Sequence, residues 1–188
     1  MHRTTIMIYS FAHFSQEVLE TISEAVRNEF RYRVVVREAY LDLTGYYDPN
    51  RRQYNGDALL KVLDAMHPGG PHKLIGLFNV DLFIPILTYI FGQAQFGGRA
   101  AIASVYRLKN ERYGMMNGEK YLLERFTKEV VHELGHVFGL PHCINPLCVM
   151  RSSTYVEDID QKEVRFCHSC QEALPSGSAG PVKPLSKE

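Results

Sequence analysis

The sequence predicts an α/β fold: a mixed sheet backed by helices, with a small C-terminal part of different make-up. Three observations predict it. Residues 4–40 read as strand, helix, strand. A long amphipathic helix follows late in the chain, near residues 119–138. All four cysteines lie beyond that helix, at 143, 148, 167 and 170. With 188 residues and 45% apolar content, the chain is long enough to bury one substantial core.

The elements follow in order. Thr4 to Ser10 is an apolar run that predicts a buried strand. Ser15 is placed to cap a helix running to Phe30, with Val18, Ile22, Val26 and Phe30 on one face. Tyr32 to Tyr40 carries the β-branched run Val34-Val35-Val36 and predicts a second strand. Two strands joined through a helix predict a parallel pair. Leu43 to Asn55 reads as a polar loop whose tyrosines and arginines mainly pin its own course. A helix is expected from Gly56 to Met66, stopped by Pro68-Gly69-Gly70-Pro71. Further strands are expected at Lys73 to Val80 and Arg99 to Leu108. Between them, Tyr89 to Phe96 is interrupted by glycine and suits a short strand at the sheet edge. On the late helix Leu122, Leu123, Phe126, Val130, Leu134 and Val137 share one arc; His132 and His136 lie on its flank, and Arg125 and Glu129 continue the histidine side. An Arg125–Glu129 ion pair is the expected pairing there, with Glu129 as acceptor for an imidazole N–H as the alternative. After Leu174 the run PSGSAGPVKPLSKE reads as a disordered tail.

Composition narrows the function classes. Twenty-one basic residues balance twenty-one acidic ones, which argues against a nucleic-acid or charged-membrane surface. No apolar run approaches the roughly 20 residues of a membrane span. The N-terminus shows no secretory signature and leaves no room for a pro-segment, so a cytoplasmic monomer is expected, with cysteines serving metal rather than disulfides.

One stretch carries chemistry: His132-Glu133-Leu134-Gly135-His136-Val137-Phe138-Gly139-Leu140-Pro141-His142. On a helix His132 and His136 stand one turn apart on the same side, so their imidazoles are able to share one metal ion. Glu133 sits about 100° round from His132, within reach of a water on that metal without being a ligand. Gly139 suits the left-handed backbone that ends a helix, Pro141 prevents its resumption, and the turn returns His142 as a third ligand. Three histidines leave a fourth tetrahedral position open, the arrangement of a catalytic rather than a structural zinc. A match at all five fixed positions arises by chance with a probability on the order of 10⁻⁴.

The cysteines form a second set. Cys143 and Cys148, with Cys167-His168-Ser169-Cys170 downstream, are a four-thiolate zinc set; four filled positions make such a site structural. Cys143 follows His142 directly, and neighbouring side chains of an extended segment point to opposite sides. One backbone link then serves two sites. Met150 is placed as an apolar floor under the first site or as an ordinary core residue. His168 faces away from the thiolates, and His2, His13, His67 and His72 read as surface residues.

The first motif resembles that of the metzincins, a clan of zinc peptidases. With Cys143, Cys148, Met150, Cys167 and Cys170 added, the pattern is similar to the archaemetzincins; the matched motif spans 131–170. Weaker similarity lies in Arg51 to Tyr54, Phe91-Gly92-Gln93-Ala94 and Arg107-Leu108, and sixteen residues separate Met150 from Cys167. The resemblance implies a twisted mixed sheet with backing helices and an active-site helix in residues 1–139. It implies a zinc-stabilised subdomain in residues 140–174, with 175–188 as the tail. It implies that His132, His136 and His142 bind a catalytic zinc, that Cys143, Cys148, Cys167 and Cys170 bind a structural one, that Glu133 is the general base, and that Met150 is the Met-turn residue. The expected activity is hydrolysis of peptide or protein substrates held along the edge strand. A peptide-binding module with little activity and a hydrolase of a non-peptide amide are the alternatives.

Overall fold

The computed structural model describes residues 4–66, 71–110 and 118–175. In chain order its first elements are β1 (Thr5–Ser10), α1 (Gln16–Phe30), β2 (Arg33–Glu38), β3 (Tyr47–Asp48), β4 (Gln53–Asn55) and α2 (Gly56–Ala65). There follow β5 (Lys73–Phe78), β6 (Leu82–Phe83), β7 (Gly92–Ala94), β8 (Ala100–Ser104), α3 (Glu119–Val137), α4 (Val156–Gln161) and α5 (His168–Ala173).

Five strands make one mixed sheet of order β2-β1-β5-β8-β7. The first four run parallel and β7 pairs antiparallel with β8 at the edge. Strands β1 and β8 are buried along their whole length and β5 nearly so, because both faces of the sheet are covered. Alternation sorts their side chains. Ile6, Ile8, Ile75, Leu77, Ala101 and Ala103 face the core under α1 and α3. Met7, Tyr9, Leu74, Phe78, Ala100 and Ile102 face the core under α2. Helix α1 begins where expected: the Ser15 hydroxyl accepts from Val18 N, and Ile22, Val26 and Phe30 are buried.

Several expected elements are shorter. The second strand is trimmed to Arg33–Glu38. The strand expected to reach Leu108 ends at Ser104, where the Ser104 hydroxyl donates to Val80 O and accepts from Val80 N and Tyr106 N. The chain then turns through a 3-10 helix, Tyr106–Leu108. The expected loop 43–55 holds β3 and β4, which with β6 form a second small sheet. Arg51 donates to Leu87 O and Gln53 donates to Thr88 O, so this segment pins the loop before β7. Most of the expected 68–71 stop, the 111–117 part of the loop before α3, and the tail from 176 lie outside the described residues.

Residues 140–175 pack against the ends of α1 and α3. Val149, Met150, Val156, Ile159 and Phe166 join the same core as Phe126, Val130 and Leu134. Glu29 at the end of α1 accepts from Phe166 N, and burial raises its carboxyl above the ordinary range despite that bond. Met150 is fully buried and lies under α3 at Gly135, where an added Cβ would run into its sulfur and approach Phe166 Cε1 at 3.3 Å. Replacing Gly135 by alanine therefore forces Met150 to move in a filled core. Denaturant unfolding should show Gly135→Ala less stable by about 1–3 kcal/mol; an unchanged midpoint would mean that Met150 has room to yield.

Candidate active site

The histidines of the motif converge because the end of α3 is tightly specified. Gly139 adopts φ +91°, and Gly139 N and Leu140 N donate to His136 O and Gly135 O. That pair of bonds is a Schellman ending, which reverses the chain over the helix terminus. Gly97, in the turn after β7, also donates to His136 O. Lys73 donates to Val137 O and Gly98 O and lies over the Phe138 ring, tying the helix end to the start of β5.

The reversal brings His142 to the other two. The ring centroids are 4.7 Å apart for His132 and His136, 5.4 Å for His132 and His142, and 4.9 Å for His136 and His142. His132 Nδ1 lies 2.8 Å from Val149 O and His136 Nδ1 lies 2.7 Å from Leu140 O. A carbonyl only accepts, so each Nδ1 carries the proton and each Nε2 presents a lone pair. Burial lowers the pKa of both rings, which keeps them neutral. Yet the two Nε2 atoms are 3.2 Å apart. Two acceptors at that separation repel unless a cation lies between them. Tetrahedral zinc with Zn–N bonds of about 2.0–2.1 Å spaces its nitrogens by about 3.3 Å, so the donor set fits that ion.

The thiols tell the same story. Cys143, Cys148, Cys167 and Cys170 form no disulfide, and their sulfur atoms all lie within 4.8 Å of one another. Cys143 Sγ and Cys167 Sγ are 3.7 Å apart. Zn–S bonds of about 2.3 Å in a tetrahedron space two sulfurs by about 3.8 Å, whereas a disulfide requires about 2.05 Å. Asn145 N donates to Cys143 Sγ and Cys167 N to Cys148 Sγ, bonds that favour thiolates. The backbone N–H of Cys170 pulls the Cys167 thiol down to about 7, while burial raises those of Cys148 and Cys170. His168 points away and is exposed beside Glu172.

Glu133 stands between α3 and the edge strand. Burial pushes its carboxyl well above the usual carboxylate range, Glu129 adds to the rise and Lys162 opposes it. A Cβ on Gly92 would lie 2.6 Å from Glu133 Cγ and 2.7 Å from Ile102 O, so this position of β7 has no space for a side chain. A cleft of about 540 Å³ runs between β7 and the segment after Met150, with Glu133 and the three histidines along it.

The pairing expected on the flank of α3 is not found. Arg125 makes a two-pronged bond to Asp160, at 2.7 and 2.6 Å, and donates to Leu108 O. Glu129 pairs with Lys162, whose Nζ also donates to Arg151 O, and it accepts from neither imidazole. Carbonyls of Val149 and Leu140 take the imidazole protons instead. Sequence reasoning missed these carbonyls and Lys162, since a backbone acceptor leaves no residue signature and a lysine reads as surface. His13 is exposed as expected, but His72 is half-buried with its Nδ1 enclosed and unpartnered among the described residues. His2 and His67 lie outside them.

Residues 5–176 match the model of peptidase family M54. The chain belongs to that family. An archaemetzincin of Thermococcus kodakarensis is 35% identical over 175 residues, covering 90% of this chain and 94% of its own. The crystal structure of archaemetzincin from Methanopyrus kandleri superposes with a TM-score of 0.77 at 33% identity, over 90% of this chain and 92% of that one. That of a zinc-dependent peptidase from Methanocorpusculum labreanum gives 0.81 at 27% identity, over 90% and 100%. This member of peptidase family M54 is thus a zinc metallopeptidase acting on peptide or protein substrates. Among its described residues no helix is long and apolar enough to cross a membrane. Because Gly92 leaves space for Glu133, Gly92→Ala should displace that carboxylate; were Glu133 a reacting group, a shift of about 1 Å would cut peptide hydrolysis by about 10²-fold. Zinc content should not change. Assays of turnover and metal on the same sample check it, and near-normal turnover would show that Glu133 tolerates the displacement.

Proposed function

We propose that His132, His136 and His142 hold the catalytic zinc, that Cys143, Cys148, Cys167 and Cys170 hold a second, structural zinc, and that Glu133 is the general base. The observation that carries this reading is the pair of Nε2 lone pairs held 3.2 Å apart beside Glu133. When bound, the metal supplies Lewis acidity to the scissile carbonyl and the attacking water. Glu133 takes the proton of that water and passes it to the leaving amine. Its burial favours the protonated form, which suits the delivery step, and the metal's charge favours the carboxylate needed for the first step. The free edge of β7 holds the substrate in extended form by main-chain hydrogen bonds.

The division of labour follows the chain. Residues 1–139 supply the sheet and the active-site helix, and residues 140–174 supply His142, the floor under the helix and the thiolates. Four thiols kept for metal suit a reducing compartment, so we place the enzyme in the cytoplasm, as a monomer.

Two zinc equivalents are expected, one of them released first. A closed four-thiolate site contributes directly to folding, and an open three-histidine site need not. Mild chelation should leave one equivalent and a folded protein. Glu133→Gln should abolish hydrolysis with both equivalents retained, whereas His136→Ala should lose one; a Glu133→Gln enzyme that still turns over refutes the assigned base. Cys143→Ser should lower the melting temperature and weaken both sites, because Cys143 N also donates to Met150 O in the link carrying His142. Unchanged melting with two tightly held zincs would remove Cys143 from the cluster.

A further inference from the structure

The cleft is not alike at its two ends. Beside His136 stands the exposed Phe96 ring, its centroid 6.3 Å from that of the imidazole. One helical turn before His132 a hydrogen bond crosses the cleft. There the Tyr89 hydroxyl, on the β7 side, donates to Thr154 O on the opposite wall at 3.1 Å. Tyr89 is braced by the Arg107 guanidinium, 4.7 Å from its ring centroid, and by the edge of Phe91.

The bridged end contains a buried carboxylate that the hydrolytic mechanism does not use. Glu129 lines the cleft and is only 4% exposed. Its Oε1 lies 3.4 Å from Nζ of Lys162, a side chain with no exposure at all. Lys162 also donates to Arg151 O at 3.1 Å, so Glu129 is anchored to the segment after Met150. Its other oxygen accepts from no described residue. Ser153, on the same wall, has an enclosed hydroxyl with no hydrogen-bond partner among the described residues. Tyr89 and Tyr155 line the same cleft as this carboxylate.

A bridged cleft end with tyrosines in its lining, an anchored carboxylate and a spare hydroxyl matches a cation on an apolar stem. We propose that this bridged end is a cation pocket in which Glu129 receives an ammonium or guanidinium group of the peptide substrate. That group is a lysine or arginine side chain next to the scissile bond, or the terminal α-ammonium of the peptide. Lys162 orients Glu129 for this task, which explains why an ion pair is buried beside a metal centre where an apolar pair would pack as well. The inference rests on the peptidase reading and adds selectivity to it.

The test separates the two sources and does not depend on turnover. An N-acetylated peptide carries one lysine at each position in turn; a matched set carries norleucine, and a third set is the norleucine peptide with a free N-terminus. Each is titrated calorimetrically into zinc-loaded Glu133→Gln protein and assayed for hydrolysis by the zinc-loaded native enzyme. One lysine register, or the free terminus, should bind about tenfold more tightly than its neutral match. In a Glu129→Gln/Lys162→Met background, which removes both buried charges together, the gain should shrink to under about twofold. Glu129→Gln alone repeats the comparison with Lys162 in place, should the double variant fail to fold. Equal binding of all three sets, no binding, or a gain that survives loss of Glu129 overturns the cation pocket. Binding with the expected preference but no hydrolysis supports the pocket and counts instead against the peptidase reading.

Discussion

The structure depends on burying a helix on almost every side, its polar residues included. From Arg125 onward in α3 the side chains of Arg125, Lys128, Glu129, His132 and Glu133 are all nearly inaccessible. Buried polar groups are costly without partners. Most of those partners come from one later segment. Asp160 takes Arg125, Ile159 O takes Lys128, Lys162 takes Glu129, Val149 O takes His132 and Leu140 O takes His136. Residues 140–162 are thus the polar complement of the helix, and the cleft is what remains between them and the edge strand.

This complementarity couples stability to chemistry. The same carbonyls that satisfy the imidazole protons set which nitrogen faces the cleft, so the tautomer needed for metal binding exists before metal arrives. Cys143 lies next to His142 and its N–H donates to Met150 O, so the cysteine cluster is braced against the turn carrying His142 through one short link. Separating the two clusters would require breaking that link. The sheet contributes in a different way: its apolar strands position α3 through Leu77, Ala103 and their neighbours, and only its edge, at Gly92, reaches the chemistry.

Local pattern made much of this legible. Strands β1 and β5 follow from continuous apolar runs buried on both faces, and helix α1 from apolar periodicity and a capping serine. The histidine motif is legible for a related reason: helical spacing alone puts His132 and His136 on one side, and Gly139 takes its positive φ through a preference that is local to glycine. The errors fall where partners are distant in sequence. The strand expected to reach Leu108 stops at Ser104 because a hydroxyl there bonds to Val80, twenty-four residues earlier. Arg125 and Glu129, one turn apart and of opposite charge, look like a surface pair; each is instead committed to a residue more than thirty positions away.

By itself, the sequence determined the two candidate donor sets, three histidines and four cysteines, since ligand type and helical or C-x-x-C spacing are properties of short segments. Tertiary structure alone decided which carbonyls orient the imidazoles, that Gly92 makes way for Glu133, and that Glu129, in the lining of the cleft, is paired with Lys162. These depend on which surfaces meet when residues 140–162 fold back over α3. Burial of that kind turns ordinary charged residues into parts of a site, and no short stretch of chain encodes it.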